Sequence, residues 1–333
     1  MIPLDLLRGI TTVIGHARED AVCADALAAV LVVRDVLPDV EVRFLRYESK
    51  EHQEVAAEPG VLFVDISPPP DRVGEFLEMN SIVLDHHATA AKETRAFELA
   101  ERGVYADLHE QPGVSAATLA FRYIWEPIVA NRRDDDGALA GFGQYHGSRP
   151  LYRDAVRRFA ELAGIRDTWQ ITHPLWIAAS EQAAVLLFYP LDVWLDTKKH
   201  GWSPIGVGSF EERFRVGPHL LRRHQDEVRS LVSGAHRFTT PKGTRVAVCS
   251  SSVVSDAADL LDDVDVVVGF SFRVREGGPS MKLAFRSRGG FVVRPIAEAL
   301  GGGGHDGAAS AWIELHASHR HPYATIRTIM EGW

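Results

Sequence analysis

The sequence is poor in the features that mark secreted and membrane proteins. Its two cysteines, Cys23 and Cys249, are too few for a disulfide framework. No apolar run is long enough to span a bilayer, and residues 1–9 lack the basic and then apolar pattern of a signal peptide. We therefore expect a cytoplasmic protein that does not bind a membrane.

Basic charge is also scarce. The net charge of −9 argues against a protein that coats long nucleic acid with a basic surface. Residues 1–197 contain 18 Lys and Arg against 31 Asp and Glu, whereas residues 198–333 contain 18 against 14. This division suits metal binding in the acidic part and phosphate binding in the basic part, although chance surface charge would give the same counts.

The first third of the chain alternates between predicted strands and helices. Residues 11–15, 40–46, 61–66 and 81–84 have the apolar patterns of strands, and residues 25–37 have that of an apolar helix. This alternation indicates a parallel sheet with helices on both faces. Ligands of such sheets bind just beyond the carboxyl ends of the strands.

Three polar side chains fall at those predicted strand ends: His16, Asp65 and Asp85. Two imidazoles, those of His86 and His87, follow Asp85 directly. A carboxylate and two imidazoles are costly to desolvate without a partner, and a metal ion is the usual partner. A surface turn is the alternative for this tripeptide, but the preceding strand end at Asp65 favours a metal site.

The remaining chain is predicted to contain helices and then a second α/β unit. Residues 114–195 are mainly helical in pattern, and the Gly- and Pro-rich segment 201–208 is typical of a linker. At 333 residues the chain is long enough for two domains. We divide it into a metal-binding domain (1–200), a linker with a connecting helix (201–236) and a smaller α/β domain (237–333).

The tripeptide Asp85-His86-His87 resembles the motif that gives the DHH phosphoesterase superfamily its name. Residues 301–310 read Gly-Gly-Gly-Gly-His-Asp-Gly-Ala-Ala-Ser, which is similar to the GGGGHxxAAG signature of the associated DHHA1 domain. Ser310 replaces the final glycine, and Arg286-Ser287 resembles the Arg-Ser strand of that domain. The resemblance implies an α/β fold in which an N-terminal parallel-sheet DHH domain is joined by a linker and helix to a smaller α/β DHHA1 domain.

The resemblance also implies a centre with two metal ions. The first family motif supplies a His and two Asp, and His16 and Asp20 match its beginning. The second Asp would fall at Val22, which cannot bind a metal. We assign Asp25 to that position with an expanded loop, and keep Cys23 as an alternative because a thiolate binds borderline-soft metals.

The later motifs supply the other metal-site residues that the resemblance implies. Asp65 would bridge the two ions, and His86 would bind one of them. His87 would face the scissile phosphate, and Asp85 would orient the two histidines, as carboxylates behind ligating histidines usually do. Asp167 would be the last ligand, although without the resemblance it would be interpreted as an acidic residue at a helix end.

For the second domain, the resemblance implies recognition of a phosphate that is not cleaved. Glycines allow backbone N–H groups to approach a phosphate closely, and an arginine can bind it through two N–H groups. A flexible turn is the alternative for the glycines. The substrate-binding residues implied are Arg286, Gly302, Gly303, Gly304 and His305, with Arg288 as a further candidate.

Together these motifs imply divalent-metal-dependent hydrolysis of phosphate esters, with Mn²⁺ or Mg²⁺ as the cofactor and two ions per site. Long single strands need a basic channel with aromatic residues, so we expect short oligonucleotides or nucleotide phosphates as substrates, as in nano-RNases and 3′-phosphoadenosine 5′-phosphate phosphatases. The alternatives are a single-strand-specific exonuclease of the RecJ type, a cyclic-dinucleotide phosphodiesterase, and a non-catalytic nucleotide-binding protein. The irregular first motif favours the last of these. A homodimer is compatible with the sequence, which leaves the oligomeric state open.

Overall fold

The computed structural model describes residues 2–18, 21–87, 90, 95–105, 113–131, 149–196, 207–250, 254–275, 278–288, 290–315 and 321–333. The chain divides into two compact units, Met1–Leu221 and Arg222–Trp333. The division falls within the helix Val207–Val232, where the sequence predicts a connecting helix. Residues 201–206 of the predicted linker lie outside the described residues, and the last two, 207 and 208, already belong to that helix.

The first unit is built on a five-stranded sheet in which all neighbouring strands are parallel. Its strands are β1 (Thr12–His16), β2 (Glu41–Leu45), β3 (Val61–Val64), β4 (Ile82–Asp85) and β5 (Gly103–Tyr105). Their order is β2-β1-β3-β4-β5, so β2 lies on one side of β1, and β3, β4 and β5 lie on the other. In doubly wound sheets of this kind, ligands bind in the crevice at the carboxyl ends of the two strands between which the strand order reverses, here β1 and β3. The predicted parallel α/β fold is confirmed.

The helix Ala24–Val36 anchors the first unit because it is buried on almost all sides. It packs against β1 and against the helices Ala116–Ala120 and Arg149–Asp167. A helix enclosed by a sheet and by other helices must be apolar around its circumference, and this one is rich in alanine, leucine and valine throughout. Its N-terminus lies beyond the end of β1 and therefore carries side chains towards the crevice.

Shorter helices complete the first unit. The described part of 114–195 is mainly helical, as predicted, and residues 132–148 lie outside the described residues. No helix among the described residues is long and apolar enough to cross a membrane. The remaining helices of this unit are Leu4–Arg8, Lys50–Gln53, Val73–Glu78, Arg95–Leu99, Glu126–Ala130, Trp176–Phe188 and Leu191–Leu195, with a 3₁₀ turn at Pro70–Arg72 and a π-helical turn at Phe121–Trp125.

The second unit contains a mixed six-stranded sheet. Its strands are β6 (His236–Thr239), β7 (Arg245–Ser250), β8 (Val266–Arg275), β9 (Gly278–Ser287), β10 (Gly303–Gly304) and β11 (Ala308–Glu314). The order is β10-β11-β9-β8-β7-β6, and only the β7–β8 pair is parallel. One face of the sheet packs its buried aliphatic and aromatic residues against helices. The helices of this unit are Val254–Leu260, Arg294–Ala299 and Pro322–Glu331.

Candidate metal centre

Three neighbouring strands of the parallel sheet end in polar residues at one edge. β1 ends at His16, Asp65 follows β3 directly, and β4 ends at Asp85, with His86 next along the chain. Because β1 pairs with β3 and β3 pairs with β4, these side chains are neighbours. Asp65 has a φ of 60°, a left-handed conformation that Asp and Asn adopt more readily than most residues.

Asp65 is the centre of the cluster, and its two carboxylate oxygens face different histidines. Its Oδ2 atom lies 3.5 Å from Nδ1 of His16, and its Oδ1 atom lies 3.1 Å from Nε2 of His86. The carboxylate itself is buried. A carboxylate oriented in this way can offer one oxygen to each of two neighbouring ions.

Three groups of potential ligands among the described residues share Asp65. The first group is His16, Cys23 and Asp65, and the second is Asp25, Asp65, His86 and Asp167. A third group, Asp65, His86 and His87, overlaps the second. Within each group the candidate ligand atoms lie within 4.8 Å of one another.

Closer contacts define each group further. In the first, Sγ of Cys23 is 3.4 Å from Nδ1 of His16. In the second, Nε2 of His86 is 3.2 Å from Oδ2 of Asp167, which is the last residue of its helix. Five of the six predicted metal ligands are therefore brought together: His16, Asp25, Asp65, His86 and Asp167. Asp20 lies outside the described residues.

Asp25 is held in place by a second helix. Its carboxylate accepts hydrogen bonds from Oγ of Ser115 (2.7 Å) and from the backbone N–H groups of Ala116 (2.7 Å) and Ala117 (3.2 Å). These donors begin the helix Ala116–Ala120, where the helix dipole also favours a negative charge. The carboxylate can accept further contacts, so these bonds orient it without preventing metal binding.

Asp85 contacts His87 and a serine, in the geometry expected of a residue that orients its neighbour. Its Oδ2 atom accepts a hydrogen bond from Oγ of Ser67 at 2.8 Å, and its Oδ1 atom lies 2.7 Å from Nδ1 of His87. An ionised carboxylate can only accept, so Nδ1 of His87 must donate. The His87 side chain is 38% exposed, in contrast to the fully buried His86.

The histidines of the cluster hold their protons strongly. Burial lowers the pKa of His16, but hydrogen bonds with Asp65 and Cys23 outweigh this and raise it to about 11. Burial also opposes the charge of His86, yet the negative charge of Asp167 and the contact with Asp65 raise its pKa to about 10. The same histidine contacts lower the pKa of Asp65 in spite of its burial.

The carboxylates, in turn, repel one another. Burial and the charges of Asp167 and Asp65 raise the pKa of Asp25 to about 8. His87 is protonated more readily than a free imidazole: burial lowers its pKa, but the Asp85 carboxylate outweighs this and raises it.

The carboxylates of Asp25, Asp65 and Asp167 therefore concentrate negative charge in one cluster. Such a cluster needs protons or metal ions to balance its charge, which is the electrostatic environment of a cation site.

The distances fit divalent ions. Two ligand atoms, each about 2.0–2.3 Å from one ion, are roughly 2.8–3.8 Å apart at octahedral or tetrahedral angles. The separations of 3.1, 3.2, 3.4 and 3.5 Å in the cluster lie in this range. The residues present therefore fit the binding of divalent metal ions.

Arg18 is a neighbour of the cluster that the sequence did not single out. The charge of Cys23 raises the pKa of Arg18, and a hydrogen bond with that side chain and the charges of Asp167 and Asp65 add to the effect. A single arginine in a polar loop carries no specific sequence signal. Only the folded loop brings it to the cluster.

In the second unit, Arg286 and His305 lie at the same end of the sheet. Arg286 stands opposite Ala308 in the β9–β11 register, and Ala308 exchanges two backbone hydrogen bonds with His305. The Arg286 side chain donates to Oγ of Ser255 at 3.0 Å and to the carbonyl oxygen of Phe285 at 2.9 Å. These bonds hold its guanidinium against β9 and the beginning of the helix Val254–Leu260.

Two of the glycines before His305, Gly302 and Gly304, are required by backbone packing. A Cβ atom at Gly302 would lie 2.1 Å from the carbonyl oxygen of Ser310, and one at Gly304 would lie 2.6 Å from that of Ala308. Gly303 and Gly304 form β10, so the segment is a paired strand and not a flexible turn. Close packing against β11 thus explains glycine here independently of phosphate binding.

Arg288, the further candidate for phosphate binding, contacts the end of a helix. Its Nη1 atom donates to the carbonyl oxygens of Ala258 (2.9 Å) and Asp259 (2.6 Å), near the C-terminus of the helix Val254–Leu260. Carbonyl groups there lack partners within the helix. Arg288 therefore has a structural role at this helix end.

No family model and no curated protein matches the chain. Among solved structures, it is similar to the DHH domain of a member of a family of ribosomal proteins, with 15% identity, a TM-score of 0.58, and coverage of 98% of this chain and 87% of that one. It is also similar to an exopolyphosphatase-related protein from Bacteroides fragilis, with 12% identity, a TM-score of 0.43, and coverage of 99% of this chain and 94% of that one. A third similar structure is a pGpG-specific phosphodiesterase from Vibrio cholerae, with 11% identity, a TM-score of 0.41, and coverage of 96% of this chain and 98% of that one. The first likeness shows that the chain has a DHH-type fold, which confirms the resemblance at the level of the fold.

Proposed function

We propose that this protein is a divalent-metal-dependent phosphoesterase that cleaves phosphate esters in short oligonucleotides or nucleotide phosphates. The observation that carries the proposal is the orientation of Asp65, whose Oδ1 and Oδ2 atoms face His86 and His16. Carboxylates placed between two ligand groups suit a pair of ions, and such pairs serve phosphoryl chemistry in phosphatases and nucleases.

The ligand groups assign the residues that would hold the ions. Asp25, Asp65, His86 and Asp167 offer three carboxylates and one imidazole, a set that suits Mn²⁺ or Mg²⁺. His16 and Asp65, with Cys23 beside them, would hold the other ion. When bound, two such ions polarise the phosphoryl oxygens and lower the pKa of water.

His87 is the residue we propose to act on the substrate. Its Nδ1 atom contacts Oδ1 of Asp85, and this contact orients the ring with its other nitrogen, Nε2, on the side away from Asp85. The raised pKa of His87 keeps the ring protonated over a wider pH range than a free imidazole. Its proton can therefore stabilise developing charge or be donated to the leaving oxygen.

The expected substrate class depends on charge and on the second unit. An acidic chain disfavours long nucleic acid, because affinity for it comes mainly from phosphate contacts with basic groups. Arg286, oriented by Ser255, and His305 offer a small number of donors, which suits one or two phosphates. We propose that they bind a phosphate that is not cleaved.

A Mn²⁺-dependent hydrolysis panel tests the proposal. It should contain short RNA and DNA, 3′-phosphoadenosine 5′-phosphate, cyclic dinucleotides and pyrophosphate, with chelated protein as the control. We expect turnover of a short oligonucleotide or of the nucleotide phosphate, and none after chelation. Nucleotide binding without turnover of any substrate, in protein with verified metal content, would instead support the non-catalytic alternative.

A further inference from the structure

We propose that the Cys23 thiolate is a metal ligand, and that it makes the group His16, Cys23 and Asp65 selective for Zn²⁺-like ions over Mg²⁺ and Mn²⁺. The inference rests on the proposed function only for the presence of a two-metal centre. It assigns different ions to the two ligand groups, which share Asp65 but otherwise differ in chemistry.

The geometry around Cys23 is that of a metal-binding triad. Its Sγ atom is 3.4 Å from Nδ1 of His16, and that nitrogen is 3.5 Å from Oδ2 of Asp65. A tetrahedral ion with a metal–sulfur distance of about 2.3 Å and a metal–nitrogen distance of about 2.0–2.1 Å separates sulfur and nitrogen by roughly 3.5 Å. The triad therefore needs little rearrangement to hold one ion.

The backbone explains why Cys23 reaches this position. After β1 the chain folds back on itself: Ala17 pairs with Val22, and the N–H of Arg18 donates to the carbonyl oxygen of Ala21 at 2.7 Å. The N–H of Cys23 then donates to the carbonyl oxygen of His16 at 3.1 Å. These backbone contacts therefore hold the side chains of His16 and Cys23 together.

Cys23 also lies two residues before Asp25, and each belongs to a different ligand group. Cys23 and Asp25 flank the start of the helix Ala24–Val36, whose first turn is fixed by burial. The sequence left open whether Asp25 or Cys23 completes the first motif. In the structure there is a position for both, because one faces His16 and the other faces His86 and Asp167.

The chemistry of the side chain sets the metal preference. Thiolates favour zinc and similar soft or borderline ions, whereas Mg²⁺ requires oxygen ligands. Cys249 provides a contrast within the same chain: it belongs to none of the ligand groups of the described residues, and its Sγ atom donates to the carbonyl oxygen of Ser250.

Cobalt substitution provides a direct readout that does not depend on activity. Reduced, metal-free protein is titrated with Co²⁺, and the near-ultraviolet thiolate-to-cobalt charge-transfer absorption is recorded, with bound cobalt measured by elemental analysis. We expect the band in the wild type and in the matched control Cys249→Ser, and its loss in Cys23→Ser. Bound cobalt without the band in the wild type, or a band that survives in Cys23→Ser, would overturn the assignment.

A second variant tests selectivity and guards against a folding defect. Cys23→Asp keeps a negatively charged ligand but replaces sulfur with oxygen, so it should lose the band and still bind Mn²⁺. Its affinity for Zn²⁺ should fall by at least about 10–100-fold, the range observed when even outer-shell partners of a metal site are removed. Unchanged Zn²⁺ affinity in folded Cys23→Asp would contradict the inference.

The same titration separates this inference from the proposed function. A charge-transfer band in protein that hydrolyses no member of the substrate panel would support the Cys23 ligand and count against the phosphoesterase. Hydrolysis by cobalt-loaded protein that lacks the band would support the phosphoesterase and remove Cys23 from the metal site.

Discussion

Replacing Asp65 with asparagine should separate metal binding from folding at the centre of the site. Asparagine preserves the shape of the side chain and tolerates the left-handed backbone at this position, where φ is 60°. It removes the negative charge that all three ligand groups share. We therefore expect Asp65→Asn to fold normally, to bind both ions weakly and to lose hydrolysis.

The size of the effect can be worked out from metal-linked stability. At a Mn²⁺ concentration of 100 Kd, one bound ion stabilises the folded state by about 2.7 kcal/mol. In a unit of this size, about 1 kcal/mol shifts the Tm by about 2–4 °C, so metal should raise the wild-type Tm by roughly 5–11 °C. If the variant binds about 100-fold more weakly, the same Mn²⁺ concentration contributes only about 0.4 kcal/mol, or roughly 1–2 °C.

Asp65→Ala serves as the control for the backbone. Alanine in a left-handed conformation costs about 1–2 kcal/mol, so this variant should melt roughly 2–8 °C below Asp65→Asn even without metal. The assay is thermal unfolding of all three proteins with and without Mn²⁺, combined with elemental analysis. A Tm increase and metal content equal to those of the wild type in Asp65→Asn would refute the role of Asp65 as a shared ligand.

Three further results are expected from other parts of the molecule. His87→Gln should lower kcat by about 10²–10⁴-fold at unchanged metal content, because it removes a proton donor, and steady-state kinetics that show only a KM effect would contradict this. Gly302→Ala should lower the free energy of unfolding in urea by about 1–3 kcal/mol, because its Cβ atom would lie 2.1 Å from a backbone oxygen. The control Gly234→Ala, which has open space around it, should change that free energy by less than about 0.5 kcal/mol. Equal urea midpoints for the two variants would contradict the packing argument. Metal binding at pH 8 should release protons, because His16 and His86 have pKa values raised to about 11 and about 10. The affinity for metal should therefore increase with pH. Calorimetry in two buffers of different ionisation enthalpy measures the proton release, and binding heats that do not depend on the buffer would contradict it.

The strands that carry the site could be predicted from the sequence because their signals are local. Each of β1, β3 and β4 is a short apolar run that is ended or followed by a polar residue, and two of these residues, Asp65 and Asp85, are buried. Once the strands are parallel, their carboxyl ends must meet at one edge. The convergence of His16, Asp65 and Asp85 at that edge therefore follows from pattern and elementary sheet geometry.

Other parts of the site depend on contacts between distant segments and leave no local signal. Asp25 is oriented by Ser115 and by the helix that follows it, which are 90 residues away in the chain. Cys23 meets His16 because Ala17 pairs with Val22 and the backbone of Cys23 bonds to that of His16. Spacing along the chain alone could not decide between Asp25 and Cys23.

The roles of the glycines and of Arg288 were also hidden from the sequence, for a different reason. Glycine is compatible both with a phosphate contact and with close backbone packing, and only the 2.1 Å approach at Gly302 reveals the second. An arginine likewise serves equally well as a phosphate ligand or as a partner for the carbonyl groups at a helix end. The residue type limits the possibilities, and the surrounding structure decides among them.

The central claim is that Asp65 joins two divalent ions into one hydrolytic centre, and a stoichiometric metal titration tests it most directly. Metal-free protein is titrated with divalent metal while bound metal per chain and hydrolysis of a substrate from the panel are measured in the same samples. We predict no hydrolysis without metal, maximal hydrolysis when two ions are bound per chain, and a flat response for Asp65→Asn. Full hydrolysis in metal-free protein, or an undiminished response in Asp65→Asn, would contradict the claim.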